Sequence, residues 1–113
     1  MSMIEKLMNG AEADLNVLRS LNEQGDDFSS FREVDFLIET KEFSDAENIC
    51  GFINDFNYGV ASLDGEANGL FRVKVIINMP VQQHIISCVA GFMSCVASLF
   101  RGNFSGWGCV AQL

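Results

Sequence analysis

Residues 31–40 read FREVDFLIET, and the expected fold follows from this stretch. Its apolar side chains Val34, Phe36 and Ile38 stand at every second position, and the acidic side chains of Glu33, Asp35 and Glu39 point to the other face. A period of two is typical of a β-strand that has one buried face and one face in solvent. We therefore expect a sheet that helices cover on one side only.

Along the sequence, one helix is predicted before this strand and another after it. Residues 3–23 carry apolar side chains at spacings of three and four, which predicts an amphipathic helix, and Gly25 suits its C-cap. Downstream of the strand, Ser44 and Glu47 form a capping box. A second helix is expected to begin there.

A hairpin is predicted next along the chain. Residues 58–63 and 70–79 each show the pattern of a strand. Residues 64–69 between them are rich in residues that tolerate positive φ, which is typical of a hairpin loop. The two strands should therefore pair antiparallel.

The last two elements are a helix and a strand. Pro80 suits a first helical turn, and the apolar spacing that follows predicts a helix ending at Arg101 and Gly102. Residues 104–112 make the final strand, whose two glycines predict a bulge or a close backbone approach.

The resulting order is one N-terminal helix followed by β-α-β-β-α-β. That order predicts an α+β, ferredoxin-like sandwich with a four-stranded antiparallel sheet and two helices on one face. We divide the chain into an N-terminal helix, residues 1–25, and a ferredoxin-like domain, residues 26–113, within one folding unit. The first helix has three possible positions: beside the core helices, over the open sheet face, or projecting toward another chain.

Charge limits the classes of partner. Fifteen acidic residues against seven basic ones give a net charge of −8, and the basic residues are scattered. Such a surface repels phosphate backbones, so we expect no direct nucleic-acid binding, whereas a basic protein would be attracted.

The compartment is expected to be the cytoplasm. Glu5 and Lys6 stand where a signal peptide requires an apolar run, so the thiols should stay reduced and act as small buried hydrophobes. The uncharged run over residues 75–100 is interrupted by Pro80 and His84, so no membrane span is predicted. The four cysteines are Cys50, Cys88, Cys95 and Cys109.

No catalytic or metal-binding constellation is visible, and no cofactor is expected. The single histidine, His84, has no acidic residue nearby in sequence to orient it. Cys88 follows it at i, i+4 but belongs to an apolar helix face, so an enzyme is not predicted. The alternative of a small-molecule enzyme would need these residues to meet carboxylates in a pocket.

Candidate contact residues are acidic or aromatic. The carboxylates lack the alternation of an EF-hand and are either solvated charges or an acidic strip for a partner. Trp107, between two glycines, is either a core anchor or part of a shallow groove that admits a ligand's backbone. An RNA-binding sheet is disfavoured because the basic face of residues 71–75 lacks stacking aromatics. The candidate carboxylates are Asp26, Asp27, Glu33, Asp35 and Glu39.

Four runs resemble the ribonuclease E inhibitor family, the regulator of ribonuclease activity B. They are residues 18–27, 32–36, 71–75 and the closing Gly-Trp-Gly at 106–108, and the resemblance spans about residues 15–112. It implies a bacterial cytoplasmic protein with a ferredoxin-like core that binds the RNA-degrading endonuclease and restrains it without being a nuclease.

The chain also departs from that family. Ser105 stands where an acidic residue is common, the order around Tyr58 and Gly59 is altered, and the chain stops at Leu113, where the inhibitor carries an acidic tail. The partner that the resemblance implies is ribonuclease E, and the departures leave another RNA-processing enzyme as the other expectation. The alternative is an adaptor-like or immunity-like domain for a different protein, or a homo-oligomer formed through the apolar N-terminal helix.

Overall fold

A computed structural model describes residues 2–113. These residues form three α-helices and one open four-stranded antiparallel sheet, which confirms the α+β class and the predicted order of elements. The elements are α1 (Met3–Glu23), β1 (Arg32–Thr40), α2 (Phe43–Asp55), β2 (Val60–Ala67), β3 (Leu70–Met79), α3 (Gln83–Leu99) and β4 (Gly102–Cys109).

The sheet is organised around β1. Its strand order is β2-β3-β1-β4, so β1 is paired on both sides while β2 and β4 form the edges. Phe36 lies opposite Val75 of β3 and Trp107 of β4. Opposed residues of antiparallel strands point to the same side, so these three side chains share a face. The alternation in residues 31–40 therefore predicted the arrangement of β1 correctly.

The core lies between this face and the helices. Helices α2 and α3 pack on the strands, and within residues 2–113 no helix packs on the opposite sheet face. Burying apolar side chains in this single layer supplies the main driving force for folding. The largest fully buried apolar side chains are Val34, Phe36, Ile38, Ile49, Ile53, Val73, Val75, Val81, Ile86 and Met93.

Helix α1 takes the first of its three possible positions. It packs beside α3 and reaches over β4, and its side chains Leu18 and Leu21 join the core. A buried ion pair secures the chain just after α1, because Arg32 Nη1 donates to Asp26 Oδ2 at 2.7 Å. The backbone N–H of Gln112 donates to the same oxygen at 2.8 Å. The segment that follows α1 and the C-terminal segment are thus held together beside the start of β1.

Two helix starts differ from the sequence prediction. Helix α2 begins at Phe43 with Glu42 as N-cap and no side-chain cap, so the capping box at Ser44 is wrong. Thr40 Oγ1 instead donates to the carbonyl oxygen of Glu42 at 2.8 Å, which holds the tight connection from β1. Pro80 lies before α3, whose N-cap is Gln82, so its assignment to the first helical turn is also wrong.

The hairpin is tighter than the predicted six-residue loop. Strand β2 continues to Ala67, which pairs with Leu70, so the turn consists of Asn68 and Gly69 at φ values of 54° and 77°. Positive φ at both positions is the type I′ geometry that matches the twist of paired strands. The predicted loop residues around Gly65 instead form an irregularity within β2.

The end of α3 explains why a glycine is needed at position 102. Arg101, at φ 57°, takes the left-handed conformation and donates from its guanidinium to the buried carboxylate of Asp45. A Cβ on Gly102 would lie 2.9 Å from the backbone oxygen of Glu39 and 3.0 Å from Cγ2 of Thr40. The connection into β4 therefore has no room for a side chain.

Replacing Gly102 with alanine should lower the free energy of unfolding by about 1–3 kcal/mol, as overpacking typically does. The matched control is Gly51→Ala in α2, where a Cβ meets nothing within 4 Å and the loss of a helical glycine should stabilise by about 0.5–1 kcal/mol. Urea unfolding of both variants measures the difference. Equal stability of Gly102→Ala and the unmodified chain would contradict the close approach.

Candidate functional site

A groove runs between α1, α3 and the outer edge of β4, and we call it the β4 groove. Its volume is about 780 Å³, within the roughly 300–1,000 Å³ typical of ligand sites. Most of its lining is apolar or small, a composition suited to contact with apolar side chains. The lining includes Leu7, Ala13, Val17, Ala90, Phe104 and Trp107.

Trp107 links the groove to the core. Its ring packs against core residues, and its Nε1–H donates to Oδ1 of Asp14 on α1 at 2.7 Å. Asp14 is only 4% exposed and also accepts a hydrogen bond from Ser87 of α3. The sequence left open whether Trp107 is a core anchor or part of a groove. In the structure it packs against the core and also lines a groove.

Burial raises the pKa of the Asp14 carboxyl above its ordinary value of 3.8, against the opposing effect of the hydrogen bonds from Trp107 and Ser87. The sequence analysis missed this residue. A signal was present, because Asp14 stands three residues after Ala11 and four before Leu18, in the middle of the apolar face of α1. An acidic residue at such a position must find a polar partner when the face is buried.

Two glycines open the other side of β4. Gly108 lies opposite Asp35 and Gly106 lies opposite Leu37, both on the sheet face that no described helix covers. A Cβ at either glycine would meet nothing within 4 Å. Because the glycines carry no side chains, Asp35 and Leu37 line the groove from this face. The β4 groove thus extends around the edge of the strand and touches both faces of the sheet.

The expected bulge in β4 is confirmed. The pairing of β4 with β1 shifts between Leu37 and Ile38, and Ser105 is the extra residue. Gly106 takes a φ of 124°, a conformation that side-chain-bearing residues rarely adopt. The hydroxyl of Ser105 donates to the carboxylate of Glu39, so the bulge is tied to the central strand.

The acidic residues of β1 form a row on the open face: Glu33, Asp35 and Glu39. This row lies beside basic residues of β3 rather than standing alone. Lys74 Nζ is 3.9 Å from Asp35 Oδ2, and Arg72 is the pairing partner of Glu39. The open face therefore presents adjacent acidic and basic rows, of which the acidic row borders the β4 groove.

Asp26 and Asp27 lie away from that row, in the connection after α1. The hydrogen bond from Arg32 holds the pKa of the Asp26 carboxyl below its ordinary value, and the Asp26 side chain is fully buried. Asp27 is exposed and accepts hydrogen bonds from Ser29 and Ser30, and those from Ser29 chiefly lower its pKa. Asp35, Glu39 and Trp107 thus lie at or beside β4, whereas Asp26 joins the connection after α1 to the C-terminal segment.

The thiols and the histidine differ in exposure. Among residues 2–113, no set of three His, Cys, Asp or Glu side chains is arranged to hold a metal. His84 and Cys88 are exposed, so the expectation that Cys88 is buried is wrong. Cys50 and Cys109 are half-buried, and burial raises the pKa of both thiols, which disfavours the nucleophilic thiolate. In the described part of the chain, no helix has the length and apolarity to cross a bilayer.

A second apolar surface lies between α2 and α3. Five aromatic rings contact one another there, and the Tyr58 and Phe92 centroids are 4.7 Å apart. Phe56 is 64% exposed at its margin. The five rings belong to Phe52, Phe56, Tyr58, Phe92 and Phe100.

Comparison with known proteins bears on these surfaces. A family model described as "Regulator of ribonuclease activity B" matches residues 11–109, which is most of the chain and includes β1, β4 and most of α1. No curated protein matches the chain.

The hydrogen bond between Asp14 and Trp107 can be tested by substitution. Asp14→Ala leaves the indole N–H without its acceptor and should lower the free energy of unfolding by about 1–3 kcal/mol. Asp14→Asn keeps an acceptor oxygen and should lose less at neutral pH. Chemical unfolding followed by the emission of Trp107, the single tryptophan, measures both variants.

The pH dependence of the same pair has a defined sign. A carboxyl whose folded pKa is raised loses stabilisation as the pH rises from 3.8 through the folded pKa. Asp14→Asn lacks this loss, so its stability relative to the unmodified chain should increase with pH across that window and then level off. A difference that stays constant with pH would contradict a raised pKa at Asp14.

Proposed function

This chain belongs to the family of regulators of ribonuclease activity B, and we propose that it is a noncatalytic regulator that binds ribonuclease E, or a related RNA-processing enzyme, in the bacterial cytoplasm. Family membership supports a regulator that binds a protein. We assign the binding surface to the β4 groove because acidic residues border it. The contact residues proposed are Glu33, Asp35, Glu39 and Trp107. Asp27, an exposed carboxylate in the connection after α1, is proposed as a further contact.

The absence of catalysis is supported by how the groove's charged groups are used. Three titratable side chains line it, and in the described residues each has a partner within the chain. Lys6 donates to Ser98 at 3.2 Å, Asp14 accepts from Trp107 at 2.7 Å, and Asp35 lies 3.9 Å from Lys74. A general acid or base needs a group that can exchange its proton with a substrate. These groups shape a binding surface instead.

Charge supports a basic partner region. A net charge of −8 repels RNA, so the chain should act on the enzyme and not on the transcript. An enzyme that handles RNA exposes basic segments, and complementary charge speeds their encounter with an acidic protein. The acidic row beside the groove places part of this charge where apolar contact is also available.

We also assign the core to the ferredoxin-like arrangement. Support comes from the β-α-β-β-α-β order after α1, the strand order β2-β3-β1-β4 and the location of α2 and α3 on one face. The hydrogen bond from Trp107 to Asp14 and the packing of Leu18 and Leu21 in the core support treating α1 and the remainder as one folding unit.

A second candidate function is self-association. Ile4 is 70% exposed and Met8 is 68% exposed, one turn apart on α1. Exposed apolar side chains of this size are costly in water and favour a protein contact. A second copy of the chain would be the simplest partner for them.

Neutralising the acidic row should weaken binding to purified ribonuclease E. In Glu33→Gln/Asp35→Asn/Glu39→Gln, loss of three complementary charges should raise the Kd by about tenfold. Isothermal titration calorimetry measures the Kd, and a transcript-cleavage assay measures the matching loss of inhibition. Raising the ionic strength should reduce the difference between variant and unmodified chain.

The matched control is Glu42→Gln/Glu47→Gln/Asp55→Asn, which removes the same charge from exposed positions at and around α2. It should bind nearly as the unmodified chain does. Equal weakening by both triple variants would show that net charge alone matters. Absence of any binding between ribonuclease E and the unmodified chain would refute the proposed partner.

Self-association predicts a concentration-dependent mass. Light scattering over a wide concentration range should show a dimer, and Ile4→Gln/Met8→Gln should shift the protein toward the monomer. Glutamine preserves helix propensity, so α1 should remain folded. A monomer at every concentration would rule out this second function.

A further inference from the structure

We propose that the β4 groove binds an extended segment of the partner protein as a fifth strand, hydrogen-bonded to the free edge of β4. The segment has apolar residues alternating with basic ones. This inference rests on the proposed function for the identity of the partner. The mode of recognition comes from the geometry of the groove.

The first observation is the edge itself. In residues 2–113, β4 pairs with β1 alone, so one side of its backbone has no strand partner. Alternate N–H and C=O groups of such a strand point away from the sheet and can pair with an added strand. The groove lies against this side, since residues 103–108 of β4 all line it.

The two edges of the sheet differ. Both edge strands carry an irregularity, but β2 also exposes the charged side chains of Asp64 and Glu66, which discourage pairing. Beside β4 there is instead a groove that α1 covers. The geometry thus favours β4 over β2 as the edge for strand addition.

The second observation is room on both sides of the edge. Successive side chains of an added strand point to opposite faces. Toward the helices they would meet Trp107, Ala13 and Val17, and toward the open face they would pass over Gly106 and Gly108. No atom lies within 4 Å of a Cβ built on either glycine, so side chains of the incoming strand fit over them.

The third observation is the distribution of charge around the edge. On the open face the groove touches Asp35, and Glu39 lies two residues along the same strand. On the helix side the charged groups of the lining already have partners: Asp14 is buried and bound to Trp107, and Lys6 donates to Ser98. Complementary side chains are therefore basic on the open face and apolar under α1. This alternation is the pattern of a strand and not of an amphipathic helix.

The test uses a fluorescein-labelled peptide as long as β4, eight residues, in which valine alternates with arginine. It should bind the intact protein in fluorescence anisotropy, whereas a peptide of alternating valine and glutamate should not. Binding of both peptides, or of neither, would overturn the proposal.

Backbone pairing is tested by N-methylation. In an added strand, amides of one parity face β4 and those of the other parity face solvent. Methylating the valine amides or the arginine amides should therefore have unequal effects: one set weakens binding by about tenfold or more and the other changes it little. Equal affinity of both methylated peptides would exclude a strand and indicate charge attraction alone.

The site is tested by Gly10→Leu. Gly10 lines the groove from α1, a Cβ there meets nothing within 4 Å, and leucine is a better helix former than glycine, so the variant should fold while filling the groove. Gly51→Leu makes the same change on α2, outside the groove. Gly10→Leu should weaken peptide binding by about tenfold or more, and Gly51→Leu should not. Equal effects would overturn the location.

Parallel titrations with ribonuclease E separate the two proposals. If the enzyme binds Gly10→Leu as tightly as the unmodified chain, strand addition is wrong while the proposed function stands. If the peptide binds in the expected pattern and the enzyme does not, the proposed partner is wrong and the groove remains a strand-binding site. If light scattering shows that a second copy of the chain occupies β4 and excludes the peptide, the strand-addition proposal fails.

Discussion

The central position of β1 governs the arrangement of this protein. Because β1 pairs on both edges, its alternation sets which side chains of β3 and β4 face the helices, and Phe36 meets Val75 and Trp107 on the buried side. A slip of one residue would turn its apolar set to solvent. Arg32 at the beginning of β1 also binds Asp26, so the same strand that orients the sheet fixes the chain leaving α1.

The groove follows from this arrangement. Helix α1 is held at its C-terminal end by the Asp26–Arg32 pair and in its middle by Asp14 and Trp107. Helix α1 lies beside α3 and over β4, and in the described residues the outer edge of β4 remains unpaired. A helix that flanks the core thereby forms one wall of a groove whose other wall is an unpaired strand edge.

Sequence patterns predicted local structure better than they predicted the groove. The two periods present in the chain located α1, β1 and β3 well, because burial on one face leaves a direct trace in the order of residues. The predicted starts at Ser44 and Pro80 were wrong, because α2 begins after Glu42, whose carbonyl accepts from Thr40, and α3 begins after Gln82.

The site was only partly predictable. Asp35 and Trp107 both line the β4 groove and Glu39 accepts a hydrogen bond from Ser105 of β4, whereas Asp26 is paired with Arg32. Asp14 was missed because its partner is ninety-three residues away in sequence. The position of α1 could not be derived either, since an amphipathic pattern states that a face is buried and not what buries it.

The roof over β4 has a consequence for how the chain behaves in a crowded cell. A strand edge that can accept one ligand strand can equally nucleate uncontrolled stacking of many chains. Because α1 lies over β4, it narrows access to that edge, and we expect it to disfavour pairing with the broad sheet of another folded molecule. The same helix thus keeps a receptive edge from becoming an aggregation seed.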